Sequence, residues 1–158
     1  MNYEVNILED RYTALRLKNQ LCFPLYAVSN IITRKYKPLL DKLDLTYTQY
    51  IVMMVLWEEK QVNEKFLCEA LCLKSNTVTP LLKKLEDKGY IKKEKNAADE
   101  RNLVITLTDA GEKLQDEALS VPECIAREIK LTPEEVTNLY QILYKMLDEE
   151  RAKNKTEE

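Results

Sequence analysis

One stretch of the chain decides its fold, Lys74-Ser-Asn-Thr-Val-Thr-Pro-Leu-Leu-Lys-Lys-Leu-Glu-Asp-Lys-Gly89, which continues into Tyr90-Ile-Lys-Lys-Glu-Lys95 and Leu103-Val-Ile-Thr-Leu107. The first part predicts a helix with Ser75 as its N-cap and Gly89 as its stop. The later parts carry alternating or β-branched residues on either side of residues 96–102, which predicts a β-hairpin around that loop. The stretch therefore combines one helix with a small wing-like hairpin.

The predicted helix has an apolar face and a polar face. Apolar residues recur at three- and four-residue steps and can pack against a core: Val78, Leu81, Leu82 and Leu85. Short polar groups at the start of a helix, with lysines behind them, suit base edges and phosphates in a major groove. We therefore predict that the outward residues of this helix read DNA: Ser75, Asn76, Thr77, Thr79, Pro80, Lys83 and Lys84. The ordinary alternative for the two lysines is a solvated helix end.

Arg101 lies near the tip of the predicted hairpin. We expect it to enter an adjacent minor groove, because narrow A·T-rich DNA attracts arginine. Asp99, two residues earlier, is expected to orient Arg101 or the turn. From Lys74 to Thr108 there are eight Lys/Arg and five Asp/Glu, so this stretch carries +3 while the whole chain carries −3. Such polarity can concentrate phosphate affinity on one lobe, although a solvated charged face would give the same numbers.

The composition excludes several classes of function. The chain has 158 residues, four cysteines and no histidine. We therefore predict no structural zinc, no cofactor and no enzyme of the Ser-His or Cys-His type. No apolar run approaches the roughly 20 residues of a membrane span, and residues 1–20 lack a secretory signal pattern, so no membrane partner is predicted and the expected location is cytoplasmic.

Further helices are predicted before the opening stretch. Leu8 to Lys37 favours a long helix that kinks or restarts near Pro24 and Pro38. Thr46-Tyr-Thr-Gln49 resembles a capping box before Tyr50-Ile-Val-Met-Met-Val-Leu-Trp57, which is apolar on all sides and predicts a buried helix. A shorter helix over residues 63–73 leads into the Ser75 helix and completes a winged helix-turn-helix.

Two more helices are predicted after the hairpin. One begins at Thr108 and runs to about Ile129, with a bend near Pro122. The other begins at Thr132-Pro-Glu-Glu135 and carries an apolar stripe at near-heptad spacing. This stripe either packs on the first helix or builds a homodimer, which would place two DNA-reading helices about 34 Å apart. Residues 1–8 and 151–158 are predicted to fray.

The segment Asp99-Glu-Arg-Asn-Leu-Val-Ile-Thr-Leu-Thr108 and the order of elements resemble the MarR family of bacterial transcription regulators. Three segments resemble its OhrR branch, the repressors that sense organic hydroperoxides: Asn19-Gln-Leu-Cys-Phe-Pro-Leu-Tyr-Ala27, Tyr36-Lys-Pro-Leu-Leu-Asp-Lys-Leu-Asp-Leu-Thr-Tyr-Thr-Gln-Tyr50 and Thr79-Pro-Leu-Leu-Lys-Lys-Leu85. The resemblance covers about residues 17–147. It implies one mainly α domain with a β-hairpin wing, in which residues 44–111 form a winged helix-turn-helix DNA-binding lobe. Residues 8–43 and 112–150 then form a helical dimerisation lobe, and residues 151–158 a disordered tail.

The resemblance also implies a redox site. It makes Cys22 the peroxide-sensing thiol, with Tyr36 and Tyr47 of the partner subunit beside it and Tyr26 as a further supporting residue. Cys124 matches a second, resolving cysteine of the two-cysteine members. Pro24 independently predicts a helix restart just after Cys22, and the positive end of a helix favours a thiolate. Cys68 and Cys72 are predicted to be small core fillers.

The predicted function is therefore a homodimeric repressor that leaves a pseudo-palindromic operator in double-stranded DNA when an organic hydroperoxide oxidises Cys22. A disulfide with Cys124 would shift the helices, and a low-molecular-weight thiol or a reductase would reset the switch. Two alternatives stay open. The first is a regulator switched by a small apolar or phenolic ligand, with Cys22 structural and inert. The second is a thiol peroxidase that uses Cys22.

Overall fold

The computed structural model of the chain describes residues 12–96 and 99–156. Two 3-10 turns, Thr13–Leu15 and Leu17–Asn19, come first, and a third, Asp41–Leu43, follows the first helix. The other elements, in chain order, are α1 (Cys22–Leu40), α2 (Tyr47–Glu59), β1 (Gln61–Asn63), α3 (Glu64–Leu71), α4 (Ser75–Asp87), β2 (Ile91–Asn96), β3 (Asp99–Leu107), α5 (Asp109–Ala118), α6 (Ser120–Glu128) and α7 (Pro133–Thr156). Along the described ranges, no helix is long and apolar enough to cross a membrane.

Helix α2 lies at the centre of the core. It begins at a capping box in which the Gln49 backbone N–H donates to Thr46 Oγ1 and the Thr46 backbone N–H donates to Gln49 Oε1. Trp57 Nε1 donates to the Gly111 carbonyl at 2.9 Å, which attaches α2 to α5. The predicted buried helix is confirmed, with Val52, Met53 and Leu56 fully enclosed and Met54 as an exposed exception.

The wing belongs to a three-stranded antiparallel sheet in the order β1-β3-β2. The sequence predicted only the two-stranded hairpin, because β1 has three residues and too short a pattern to show. Val62 of β1 pairs with Ile105 of β3, and both are buried. The predicted loop over residues 96–102 is wrong in extent, since Asn96 and residues 99–102 lie in the strands. The pairing shifts between Lys95 and Asn96, and residues 97–98 at the tip lie outside the described residues.

The first helix begins later than predicted. Residues 8–11 lie outside the described residues, and the 3-10 turns at 13–15 and 17–19 replace the expected α-helix up to residue 21. Arg16 and Gln20 have extended backbone angles, which separate the turns from α1. The restart expected near Pro24 is confirmed, because α1 begins at Cys22 and Pro24 lies in its first turn. Pro38 lies inside α1, which ends two residues later at Leu40.

The helix predicted from Thr108 to Ile129 is divided into α5 and α6 at Leu119, three residues before Pro122. Pro122 has no N–H to donate to the Ala118 carbonyl, so the break falls one turn before the proline. Thr108 caps α5 as predicted, by accepting from the Gly111 backbone N–H at 3.1 Å.

Helix α7 begins at the predicted capping box, in which Thr132 and Glu135 exchange backbone and side-chain hydrogen bonds. The predicted frayed tail is wrong for residues 151–156, which continue α7. The helix meets no glycine or proline there, and Arg151 donates to the Ala70 carbonyl of α3 at 2.9 Å. Residues 1–8 and 157–158 of the predicted termini lie outside the described residues.

Candidate functional site

Helix α4 turns its polar residues outward. Val78, Leu82 and Leu85 are buried in the core, and Gly89 follows the helix with a φ of +74°, a conformation that favours glycine. The opposite face is exposed and contains every α4 residue predicted to read DNA: Ser75, Asn76, Thr77, Thr79, Pro80, Lys83 and Lys84. The structure therefore places these seven residues on one accessible surface, which we call the α4 face.

The predicted N-cap of α4 is wrong by one residue. Lys74 holds the N-cap position, without a side-chain cap, and Ser75 is the first helical residue. The Ser75 hydroxyl instead donates to Glu64 Oε1 at 2.6 Å, and the Thr79 hydroxyl donates to the same oxygen at 2.6 Å. Glu64 is the first residue of α3, so its carboxylate joins the two helices of the helix-turn-helix.

The lysines of this lobe fall into two groups. Lys88 Nζ lies 3.0 Å from Asp44 Oδ2 and Lys93 Nζ lies 2.7 Å from Glu86 Oε2, so these two charges are neutralised within the protein. Lys83 and Lys84 are exposed, and over the described part of the chain neither forms an ion pair. These two ammonium groups are therefore available to an external anion such as a phosphate.

The predicted wing residues Asp99 and Arg101 lie in β3 near the tip of the hairpin. Only their backbone belongs to the described part of the structure, and the predictions for their side chains lie outside it.

Cys22 is the first residue of α1 and its side chain is exposed. Pro24 occupies the third position of the helix, where a missing N–H costs no intrahelical hydrogen bond. The thiol therefore lies at the N-terminal end of a 19-residue helix, which is the positive end of the helix dipole. Tyr26 lies one turn further along α1 and is 69% exposed.

Tyr36 and Tyr47 come together at the other end of α1. Their ring centroids lie 5.0 Å apart in an edge-on arrangement, and Tyr50 lies 6.0 Å from Tyr36. Burial raises the pKa of all three phenols above 10.0, and the neighbouring Tyr47 raises the pKa of Tyr36 and Tyr50 further. These phenols stay protonated at neutral pH and can act as hydrogen-bond donors. The sequence assigned no role to Tyr50, because its place in a buried run made it look like a core residue.

A groove of about 340 Å³ lies beside this tyrosine cluster. The α1 side chains Arg34 and Lys37 bring positive charge to it, although Lys37 is paired with Asp41 at 2.9 Å. The walls come from the end of α1 and the start of α2: Thr33, Arg34, Lys37, Leu40, Asp41, Leu45, Thr46 and Tyr47.

Cys124 is half-buried in α6, which packs on α1. Lys35 of α1 donates to Glu128 of α6 at 2.8 Å, and this hydrogen bond lowers the pKa of the Glu128 carboxyl. Cys22 lies 13 residues before Lys35, about 20 Å along the helix axis at 1.5 Å per residue. Within one chain, Cys22 at the start of α1 and Cys124 on α6 therefore lie at different levels along the axis of α1, and both are free thiols.

The prediction for the other two cysteines is correct only in part. Cys68 packs against the core, and burial raises the pKa of its thiol, with Glu64 and Glu69 adding to the effect. Cys72 is exposed and is not a core filler. It lies just after α3 with a φ of 52°, so the helix ends before the side chain can turn back to the core.

A broad apolar surface is left uncovered on α7 and on the first half of α1. On α1 and the residue before it, this surface includes Leu21, Phe23, Leu25, Tyr26, Val28 and Ile31. On α7 it includes Val136, Leu139, Tyr140, Ile142, Tyr144, Met146 and Leu147. Large exposed apolar side chains in such numbers mark interaction surfaces in soluble proteins. We call the two sets together the uncovered apolar face.

Known proteins are similar to this chain in sequence and in fold. The family described as transcriptional regulator SarA/Rot matches residues 34–118, which is more than half of the chain. The organic hydroperoxide resistance transcriptional regulator of Bacillus subtilis is 40% identical over 147 residues, covering 93% of this chain and 100% of the relative. The chain belongs to the MarR/SarA type of transcriptional regulators.

Solved structures of AbfR of Staphylococcus epidermidis resemble this regulator over most of its length. Reduced AbfR bound to DNA is 38% identical, covers 85% of this regulator and 95% of its own chain, and has a TM-score of 0.69. Disulfide-formed AbfR is 36% identical, covers 94% and 97%, and has a TM-score of 0.56. These neighbours confirm the predicted fold, a mainly helical winged helix with a small sheet.

Proposed function

We propose that this regulator is a homodimeric, redox-sensing repressor that releases its operator when an organic hydroperoxide oxidises Cys22. The observation that carries the proposal is the exposed Cys22 thiol at the positive start of α1. The hydroperoxide resistance regulator of Bacillus subtilis and the reduced and disulfide-formed structures of AbfR support it by similarity. A regulator of this kind acts where the chromosome is, so we place it in the cytoplasm.

The proposed DNA contacts follow from the α4 face. A dimer would present two α4 helices to successive turns of a major groove, about 34 Å apart, which matches a pseudo-palindromic operator. Lys83 and Lys84 would contact phosphates, and the other residues of the face would approach base edges. Arg101, oriented by Asp99, would enter the neighbouring minor groove.

The proposed switch uses only cysteine thiols of the protein as reacting groups, with the hydroperoxide as the oxidant. The Cys22 thiolate attacks the distal oxygen of the hydroperoxide and, with one proton, gives a sulfenic acid and an alcohol. A thiol of Cys124 of the partner subunit then attacks the sulfenic sulfur, which forms a disulfide and releases water. Tyr36 and Tyr47 of the partner subunit, with Tyr26, would donate hydrogen bonds beside Cys22. A low-molecular-weight thiol or a reductase would return the two electrons.

The axial offset supports a disulfide between subunits. A disulfide requires Cα atoms within about 7 Å, whereas Cys22 lies about 20 Å along α1 from the Lys35–Glu128 pair near Cys124. In a dimer built on the uncovered apolar face, the first half of α1 would meet the partner subunit, and the proposed disulfide requires that Cys22 reach α6 of that second copy. Forming the bond would shift these helices and change the spacing of the two α4 helices.

A gel shift with the DNA upstream of the regulator's own gene tests the proposal. We expect cumene hydroperoxide to release the wild type and Cys72→Ser, which removes an exposed thiol elsewhere, while Cys22→Ser stays bound. A non-reducing gel should show a cross-linked dimer that is absent in Cys22→Ser and in Cys124→Ser. Release of Cys22→Ser by the hydroperoxide would refute the sensing role, and a cross-link in Cys124→Ser would refute the resolving role.

The groove beside Tyr47 favours a second candidate, a regulator switched by a small apolar or phenolic ligand. Its walls mix Leu40 and Leu45 with Arg34 and Lys37, a combination suited to an anionic aromatic molecule. Slow iodoacetamide labelling of Cys22, with release of DNA by such a ligand, would favour this candidate.

We also propose that the protein is not an enzyme. Continuous consumption of hydroperoxide in the presence of a thiol reductant would contradict this proposal.

A further inference from the structure

We infer that Glu64 converts the start of the α4 face into a hydrogen-bond acceptor that selects the exocyclic amino group of adenine or cytosine in the operator. The inference rests on the proposed DNA binding. It assigns a role in sequence specificity to Glu64, a residue that lies outside α4, the helix proposed to enter the major groove. Glu64 lies in α3, and it acts on the α4 face through Ser75 and Thr79.

Both hydroxyl protons are held within the protein. The Ser75 hydroxyl donates to Glu64 Oε1 at 2.6 Å and the Thr79 hydroxyl donates to the same atom at 2.6 Å. Distances of about 2.5–2.7 Å are typical of strong O–H···O bonds to a carboxylate. The Thr79 hydroxyl also lies 2.9 Å from the Ser75 carbonyl, so either acceptor keeps its proton inside the protein. Neither hydroxyl has a proton left to give to DNA.

Each hydroxyl oxygen still has lone pairs. A serine or threonine hydroxyl has one donor and two acceptor positions, so fixing the donor leaves only acceptor capacity. Ser75 and Thr79 are four residues apart on the exposed side of α4, and their oxygens therefore point to neighbouring positions on one surface. Both residues accept hydrogen bonds from outside while the Glu64 carboxylate stays in place.

The major groove contains only two groups that can donate to such a surface. Adenine presents its N6 amino group and cytosine its N4 amino group, whereas guanine and thymine present acceptors at these positions. Phosphate oxygens are also acceptors and are further repelled by the Glu64 carboxylate. The start of the α4 face should therefore read an amino-bearing base, while Lys83 and Lys84, two turns further along, suit the backbone.

The test removes single amino groups from the DNA. After the operator has been defined with a randomised library, each adenine is replaced by purine and each cytosine by 2-pyrimidinone, one position at a time, with the reduced full-length protein. We expect one or two positions in each half-site to lose about tenfold or more in affinity for the wild type. In Glu64→Ala, the Ser75 hydroxyl is freed to rotate and donate, whereas the Thr79 hydroxyl can keep its proton on the Ser75 carbonyl. The loss at the position that faces Ser75 should therefore fall below threefold.

Glu69→Ala is the matched control. It removes the same charge from the same helix, and the exposed carboxylate of Glu69 lies 3.9 Å from Lys65 Nζ. Both variants should bind random DNA more tightly, but of these two single variants only Glu64→Ala should lose the amino-group dependence at the position that faces Ser75. The double variant Ser75→Ala/Thr79→Val removes the acceptors themselves and should also lose it, which keeps the test decisive if Glu64→Ala folds poorly.

The outcomes separate this inference from the proposed function. If the wild type binds its operator and releases it on oxidation, but no amino-group removal costs more than twofold, only the inference is overturned. The same holds if Glu64→Ala keeps the wild-type pattern of losses. A protein that prefers no DNA sequence at all would overturn both the inference and the proposed operator recognition.

Discussion

The position of Gly111 has no space for a side chain larger than the hydrogen atom of glycine. A Cβ built there would lie 2.0 Å from the Tyr90 carbonyl oxygen, and the Gly111 carbonyl accepts from Trp57 Nε1. Gly111→Ala must therefore move backbone in the core, and we expect it to lower the free energy of unfolding by about 3 kcal/mol. Urea denaturation at pH 7 measures this loss.

Gly89→Ala is the natural comparison for that prediction. Gly89 has a positive φ of 74°, but a Cβ there meets nothing within 4 Å. The cost should be limited to the left-handed backbone, about 1–2 kcal/mol. An equal decrease in the free energy of unfolding for both variants would contradict this account. The close approach of the Tyr90 carbonyl would then not explain why α5 has a glycine at position 111.

Single residues were predictable where the rule is local. The capping boxes at Thr46 and Thr132 connect residues three apart, and both are present as the sequence indicated. Ser75 was misassigned because its hydroxyl is taken by Glu64, eleven residues earlier in another helix. Glu64 and Tyr50 belong to the candidate site only through contacts with other elements. The spacing of residues within one segment of sequence does not reveal such contacts.

The start of α1 decides where the Cys22 thiol lies relative to the helix dipole. Pro24 cannot donate to the Gln20 carbonyl, so it prevents the helix from extending toward the chain's beginning. In Pro24→Ala this hydrogen bond can form, and the positive end would move away from Cys22. An exposed charge at a helix end gains about 0.3–1 kcal/mol, so we expect alkylation of Cys22 to slow about two- to fivefold.

The measurement follows iodoacetamide labelling at fixed pH in a protein whose other cysteines are replaced by serine. Pro38→Ala is the control, because Pro38 lies in the same helix sixteen residues from Cys22 and far from the thiol. Equal labelling rates for Pro24→Ala and the unmodified background would show that the helix start does not tune the thiol.

At the scale of elements, long periodic segments were the predictable part. α2, α4 and α7 are present where the apolar pattern indicated them, since each buries or presents one consistent face. The short strand β1 was missed, because it exists only through its pairing with β3. The division of α5 from α6 and the 3-10 turns before α1 also escaped prediction, since the apolar stripe continues across both boundaries.

At the scale of the whole molecule, the proposed dimer requires that the uncovered apolar face be buried. Leu139 of α7 is 41% exposed, and in a two-fold dimer each substitution occurs twice. Fully burying one leucine contributes about 1.5–3 kcal/mol, and less than half of this surface is still exposed, so two copies together should lose about 1–3 kcal/mol. We therefore expect Leu139→Glu to weaken dimerisation about 10- to 100-fold, and operator binding with it. Sedimentation at micromolar concentration would then find monomers.

Met54→Glu supplies the control for this last prediction, because Met54 is 46% exposed but lies on α2, in the DNA-binding lobe. It should remain dimeric, which separates the loss of the apolar face from a general effect of a surface carboxylate. Helical circular dichroism must be retained in both variants, since the α2 core does not include either side chain. A Leu139→Glu protein that sediments as a dimer would remove α7 from the interface, and with it the route by which Cys22 reaches Cys124 of the partner subunit.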